Sequence, residues 1–560
     1  MPLYSYYGEI MKKKILIVLI IFIAIVIVGI SIFLISNYKK DAKKVEAMMF
    51  ELYSTGTCET GNGKVGIHDP SIVKAQDGTY YIFGSHGCAA KSTDLITWES
   101  VACGISDNNK MLVPSGKTLR EEYSEPLSWT DAFQTINNYK RENWQTNIWA
   151  ADVIYNKSMG KYCYYGSSSV WGQTASVIWM ATSDNIEGPY EYYNCIVYSG
   201  FNKMMGENKY IRANSMHYSF TNILNVLSKD EVENAPYFNE NGEYNGAVYP
   251  NCIDPALIYD NDGNLWMSYG SYFGGVFLMP LCEETGLPDY EYMKNTDGFD
   301  NYFGKKIIMT TSANELSGEG PYITYDKETD YYYLFVSYSG LNSLGGYNIR
   351  EYRSKNIEGP YLDAKGNSAL DNLNTGVKLF SNYRFDCVEK AYLSGGHSSC
   401  LVTDDGEVFH IYHTRFNNGQ ENYESRVHQM ARTEDGWLTV LPFEYAGEKI
   451  TQNTIDKNQL YGEYEFIAHG TETKKTDSWA YINNIITPTQ TIILNPDFTI
   501  SGDIVGAWSV KDNTNYITLK INNEIYNGVI CIQKDESENK TEKIVFSATG
   551  GNESLWGVKK

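Results

Sequence analysis

The sequence predicts an all-β chain: a five-bladed β-propeller, then a C-terminal antiparallel β sandwich or barrel, with one N-terminal transmembrane helix in front. Three observations predict it. A strand–turn–aromatic-strand unit recurs five times between Gly66 and Leu441. Short strands of a different pattern follow from Phe443 to the C-terminus. Near the start, Ile15 to Ser36 is a run of 22 residues without a charge.

That first element is long enough, at ~1.5 Å per residue, to cross the ~30 Å of a bilayer core. Lys12, Lys13 and Lys14 precede it, as in the basic region of an export signal. The run is long for a cleaved signal, and no A-x-A site follows, so an uncleaved anchor is expected in preference to a removed signal. Lys39, Lys40, Lys43 and Lys44 flank the other side, so counting positive charges does not orient it. Residues 1–14 are then a cytoplasmic basic region, 15–36 the anchor or signal, and 37–59 a linker to an exported body.

The body, residues 60–445, carries the repeats. They read DPSIVKAQDGTYYIFGS from Asp69, ADVIYNKSMGKYCYYGS from Ala151, DPALIYDNDGNLWMSYGS from Asp254, GPYITYDKETDYYYLFVSY from Gly320 and HSSCLVTDDGEVFHIYHTR from His397. Each pairs β-type apolar residues across a turn, the hairpin signature. The repeats start farther apart than the ~40–50 residues of an ordinary blade, so long insertions must separate the strands. Five such units suit a propeller, with a sandwich as the structural alternative. Within them, Asp260–Gly263 (DNDG) is expected to be a turn, and Tyr331, Tyr332 and Tyr333 strand filling. Residues 446–560 are expected to form an accessory β domain.

Composition limits the function. The chain has 560 residues and a net charge of −22. That excludes a nucleic-acid binder, which needs a basic face to displace counterions from phosphate. With 42% hydrophobic and 20% charged residues, a large core is affordable and disorder is not expected. The ten cysteines are scattered, with no zinc spacing or disulfide framework. No glycine loop stands where a strand-to-helix phosphate site needs one.

Asp69, Asp254, Glu319 and His397 occupy equivalent ends of the repeats. In a propeller the first strand of each blade lines the central channel, so residues hundreds of positions apart meet at one mouth. Three carboxylates there suit glycosidic hydrolysis: one deprotonates water, one protonates the leaving oxygen, and the third raises the pKa of the second by like-charge repulsion. Singly, each has a plainer explanation: Asp-Pro starts turns, a Glu between glycines is a loop residue, and a histidine can be a satisfied core group. Their recurrence at one place in each unit favours the chemical role. Trp149 is a candidate stacking platform for sugar, with packing as its alternative.

IHDPSIV at Ile67–Val73, NIWAADVIY at Asn147–Tyr155, NCIDPALIYDNDGNLWMSYGSYFGG at Asn251–Gly275, GEGPYI at Gly318–Ile323, RSKNIEGPY at Arg353–Tyr361 and GGHSS at Gly395–Ser399 together resemble glycoside hydrolase family 43. YESRVHQM at Tyr423–Met430 and the terminal SLWGVKK resemble its extracellular endo-1,5-α-L-arabinanases with a C-terminal accessory domain. The resemblance implies an inverting enzyme acting on arabinan, with Asp69 as general base, Glu319 as general acid and Asp254 tuning that acid. It implies Asn251, Cys252, Ile253, Ser271, Tyr272 and Phe273 along the arabinose subsites. It also implies His397 at a water-rich calcium site near the propeller axis. A monomer outside the cell, anchored or secreted, is expected.

Two other functions stay open: an exo-acting α-L-arabinofuranosidase or β-xylosidase on the same fold, and a non-catalytic carbohydrate-binding propeller. The sequence departs from the family pattern at Ala151, at Phe273 and in an insertion over Lys203–Val248 that could wall off part of the groove.

Overall fold

The structure, a computed structural model, describes residues 57–136, 148–203, 216–309, 318–371, 375–450, 455–471 and 485–560. The apolar run 15–36 lies outside them; among the described residues no helix is long and apolar enough to cross a membrane.

Five four-stranded antiparallel sheets follow one another along the chain, each from consecutive strands. Blade I runs from Ser71–Lys74 to Glu99–Ala102, blade II from Ile148–Asn156 to Glu191–Ser199, and blade III from Ala256–Tyr259 to Lys305–Ile308. Blade IV runs from Gly318–Asp326 to Val377–Lys378, and blade V from Tyr392–Val402 to Leu438–Glu444. The five sequence repeats are the inner two strands of each blade. The innermost strands touch in the order I, II, III, IV, V and back to I, so the ring is closed. The DNDG segment is a turn, with Gly263 N–H donating to the Asp260 carbonyl at 3.1 Å.

Polar side chains at the inner ends tie the blades together. The buried Asp152, on the innermost strand of blade II, accepts from Ser71 Oγ (2.6 Å) in blade I and from Leu257 N–H (2.6 Å) in blade III. These are short bonds to a carboxylate, the strong kind. They hold the strand starts that follow Asp69 and Asp254. The first and last blades are joined without strand exchange. Ser399 Oγ accepts from Ile72 N–H (3.1 Å) and donates to the Pro70 carbonyl (2.9 Å), and Lys64 pairs with Glu444 at 2.6 Å.

The abundant tyrosines brace loops within and between blades. Tyr165 reaches the Gly286 carbonyl (2.7 Å), Tyr269 that of Phe303 (2.7 Å) and Tyr123 that of Tyr190 (3.0 Å). Each ring buries apolar area while its hydroxyl satisfies a loop carbonyl that would otherwise be costly to bury. Tyr332 and Tyr333 are buried in blade IV, as expected of strand filling.

Of the two expected forms of the C-terminal domain, the structure takes the barrel. Eight strands from Gly462–Ala468 to Glu553–Lys559 close on themselves, the first pairing with the last. Closure removes free edges. Tyr464, Phe466, Trp508, Leu519 and Phe546 fill its interior. Its outer residues Val529, Val545 and Trp556 pack on Phe380, Tyr383 and Phe385 of the propeller.

Candidate active site

Asp69 and Asp254 immediately precede the inner strands of blades I and III, and Glu319 and His397 lie on those of blades IV and V. Asp69, Asp254 and His397 have φ of 59°, 58° and 47°, the left-handed region. Non-glycine residues adopt it at a cost of roughly 1–2 kcal/mol, and such strain is concentrated at functional sites. At Glu319 and around His397 the ladders slip register, turning each side chain out of its sheet. The structure therefore brings all four into one constellation.

Asp69 is the most heavily bonded. Its Oδ1 lies 2.7 Å from His68 Nδ1 and 3.0 Å from His397 Nδ1, and Ser85 Oγ donates to Oδ2 at 2.5 Å. Burial pushes its pKa up, but His397 and His68 outweigh burial and hold it well below the usual carboxylate range. Asp254 Oδ2 accepts from Gly320 N–H at 3.1 Å, and burial raises its pKa to about 6. Glu319 accepts from Ser271 Oγ at 3.2 Å. Burial first, and the charge of Asp254 second, push its pKa up to about 8. One carboxyl of the site is thus kept ionised and another kept protonated near neutral pH.

Gly320 makes this approach possible. A Cβ there would stand 2.8 Å from the His397 ring, and its φ is +59°. Gly320→Ala is expected to cost about 1–3 kcal/mol through backbone strain and overpacking. It should also lower kcat by displacing Glu319; thermal melting and steady-state rates read the two effects.

The expected subsite residues divide. Cys252 is 0% exposed, and its N–H donates to Ser199 Oγ at 3.0 Å. Asn251 Oδ1 is taken by Ser176 Oγ at 2.6 Å, and Ile253 is buried. This segment braces blade III against blade II, so Cys252 and Ile253 offer no side chain to a sugar, contrary to expectation. Ser271 is buried and positions Glu319. Tyr272 and Phe273, at φ of 46° and 41°, remain partly exposed, and Tyr272 donates to the Ser339 carbonyl at 3.0 Å. Phe273 packs 3.4 Å from the position of a Cβ on Gly246, so the end of the insertion reaches this side of the mouth. Trp149 is partly exposed and meets Trp171, which is 44% exposed, edge to face at 6.1 Å.

His397 turns Nδ1 to Asp69, as His68 does. Burial opposes its charge, but Asp69 and Asp254 prevail and raise its pKa to about 9. Ligand atoms of His68, Asp69 and His413 also converge here, all within 4.8 Å of one another. His68 directs Nδ1 at Asp69, which leaves the lone pair on Nε2. His413 Nδ1 accepts from Asp69 N–H at 3.2 Å, and its Nε2 is buried without a partner. That orphan suits a water oxygen, so the donor set fits a cation that keeps most of its water.

His68, Ser85, His413 and Trp171 escaped the sequence analysis. Ser85 had a signal: a Gly-Ser pair ends three of the quoted repeats, at Ser85, Ser167 and Ser271, and two of these serines hold a carboxylate of the site.

Residues 208–438 match the profile of glycosyl hydrolases family 43, and 442–557 match its C-terminal lipocalin-like domain. The chain is 37% identical over 512 residues to an extracellular endo-α-(1→5)-L-arabinanase of Thermotoga petrophila, covering 88% of this chain and 93% of that protein. It is 33% identical to extracellular endo-α-(1→5)-L-arabinanase 2 of Bacillus subtilis, covering 89% and 93%. The crystal structure of endo-1,5-α-L-arabinanase from Thermotoga petrophila superposes with a TM-score of 0.71 at 35% identity, over 90% of this chain and 100% of that one.

Proposed function

Because the chain belongs to glycosyl hydrolase family 43, we propose that it is an inverting hydrolase of internal α-1,5-L-arabinofuranosidic bonds in arabinan. It acts as a monomer outside the cell, held there by the apolar segment 15–36. The export reading is supported by the extracellular relatives and by the basic, apolar N-terminus. Cleavage of linear, debranched arabinan tests the activity. A ladder of oligosaccharides with an early fall in viscosity is expected; arabinose alone with slow thinning would mean exo action, and binding without new reducing ends would mean a carbohydrate-binding module.

The observation that carries the mechanism is the convergence of Asp69, Asp254 and Glu319 at one mouth through His397, Gly320 and Ser271, with the pKa of Asp69 held down and that of Glu319 pushed up. Asp69, ionised, takes a proton from a water as that water's oxygen attacks the anomeric carbon. Glu319, protonated, gives its proton to the departing glycosidic oxygen as the carbon–oxygen bond breaks. Attack opposite the leaving group inverts the centre. Solvent then returns the proton from Asp69 to Glu319. Asp254 keeps Glu319 protonated by its charge and holds the start of its strand through Gly320 N–H. Tyr272, Phe273, Trp149 and Trp171 offer the sugar chain its partly exposed contacts, Trp149 and Trp171 by stacking.

The calcium implied by the family resemblance would be held, largely through water, near His397, His68 and His413, and would supply positive charge beside Asp69. Thorough chelation is expected to lower the melting temperature by about 3 °C, with recovery on adding calcium, given the linkage expected of a site filled at ~100 times its Kd. An unchanged melting curve would count against the site.

A further inference from the structure

In blade I, Cys88 and Cys103 hold their sulfurs 2.9 Å apart in a fully enclosed corner. No other pair of cysteine sulfurs among the described residues is in hydrogen-bonding contact. The register Ala89↔Ala102 places the two residues opposite one another on neighbouring strands. Directly opposed antiparallel residues have Cα atoms ~4.5–5.5 Å apart, inside the ~4.4–6.8 Å range of disulfides. The backbone on both sides is clamped as well. Asn109 Nδ2 donates to the Gly87 carbonyl (2.9 Å) and to the Gly104 carbonyl (2.8 Å), the residues just before Cys88 and just after Cys103. The third nearby thiol is engaged elsewhere, Cys58 Sγ lying 3.2 Å from Ser100 Oγ and 3.7 Å from the Ala89 carbonyl.

We propose that Cys88 and Cys103 form an intramolecular disulfide in the mature protein. The sulfurs need to close by less than an ångström to reach the ~2.05 Å bond length. In the reaction both thiols lose their protons and one S–S bond forms. Two electrons and the two protons pass to an external disulfide, oxidised glutathione or a thiol–disulfide oxidoreductase, which becomes two thiols. The oxidising setting rests on the extracellular reading above; the pairing geometry does not.

The link would sit directly behind the Ser85–Gly87 turn, which precedes Cys88 and carries the serine that holds Asp69. Gly104 N–H also donates to the His86 carbonyl at 3.1 Å, so the second cysteine's strand supports the same turn. The disulfide would staple the support of Asp69 without touching substrate. Burial shields it from reductants once the blade has folded.

The test uses the full chain isolated without reductant, alkylated in denaturant and digested. A joined peptide pair containing Cys88 and Cys103 is expected, with two fewer alkylated thiols than the ten the sequence supplies. The same chain is also refolded in a glutathione redox buffer. A link formed there but missing from the cell-derived protein overturns the disulfide in the mature protein, shows that the geometry permits the pairing, and argues against the export reading. Both cysteines alkylated in both preparations, or a link through Cys58, overturns the proposal. Cys58→Ser should retain the link. Cys88→Ser should melt about 3 °C lower than the oxidised protein and at the temperature of the reduced one, because closure of a short loop is lost.

Discussion

Replacing Asp69 by alanine is expected to lower kcat on linear arabinan by about 10⁴-fold, at the upper end of what removal of a positioned base costs. The group lost is the one carboxylate of the site kept ionised across the working range, by His397 and His68 against its own burial. Substrate affinity should change far less. A purely structural role is excluded by a chemical check: added azide, a nucleophile that needs no deprotonation, should restore turnover in the variant and give a glycosyl azide of inverted configuration. Wild-type activity in Asp69→Ala would sink the assignment.

Glu319→Gln is expected to abolish arabinan cleavage to a similar degree, yet spare an aryl arabino-oligosaccharide whose phenolate leaves without a proton. That contrast separates a general acid from a binding residue. The pH dependence gives a second reading of the same group. Glu319 must be protonated to act, so kcat/KM of the wild type should fall as pH rises through about 8. Asp69 must be ionised, so the acidic limb should lie below the ordinary carboxylate range. Asp254→Asn removes a negative charge that disfavours ionisation of Glu319, so the alkaline limb should move to lower pH. An unmoved limb would contradict the tuning role.

The sequence made the architecture legible because a propeller repeats. Alternating apolar residues and Gly- or Asp-bearing turns marked the inner hairpin of every blade, and the ends of those hairpins marked Asp69, Asp254, Glu319 and His397. The choice between barrel and sandwich was not legible, since both use the same short strands and differ only in whether Gly462–Ala468 meets Glu553–Lys559. The subsite assignments failed at Cys252 and Ile253 for a related reason: a motif beside a catalytic residue can serve as packing beneath it, and burial has no local signature. His68 and His413 were missed because their meaning depends on each other. They stack at 4.0 Å although one precedes blade I and the other lies in the second strand of blade V. Ser85 could have been found by asking what a serine does at the channel end of a strand.

Ring closure without strand exchange carries a dynamic consequence. Ladder bonds hold each blade together, while blades I and V are joined by side-chain contacts such as the bonds of Ser399, with the Lys64–Glu444 pair and the His68–His413 stack alongside. Without a continuous chain across it, the seam is expected to open at lower free energy than the ladders inside a blade. Asp69 and His397 stand on its two sides. Hydrogen exchange on warming should accelerate first at Ile72 N–H, while the amides inside blades II and III stay protected. Inactivation should track that local opening and precede the loss of β-sheet signal: on heating, the contact between Asp69 and His397 is expected to part before the sheets unfold.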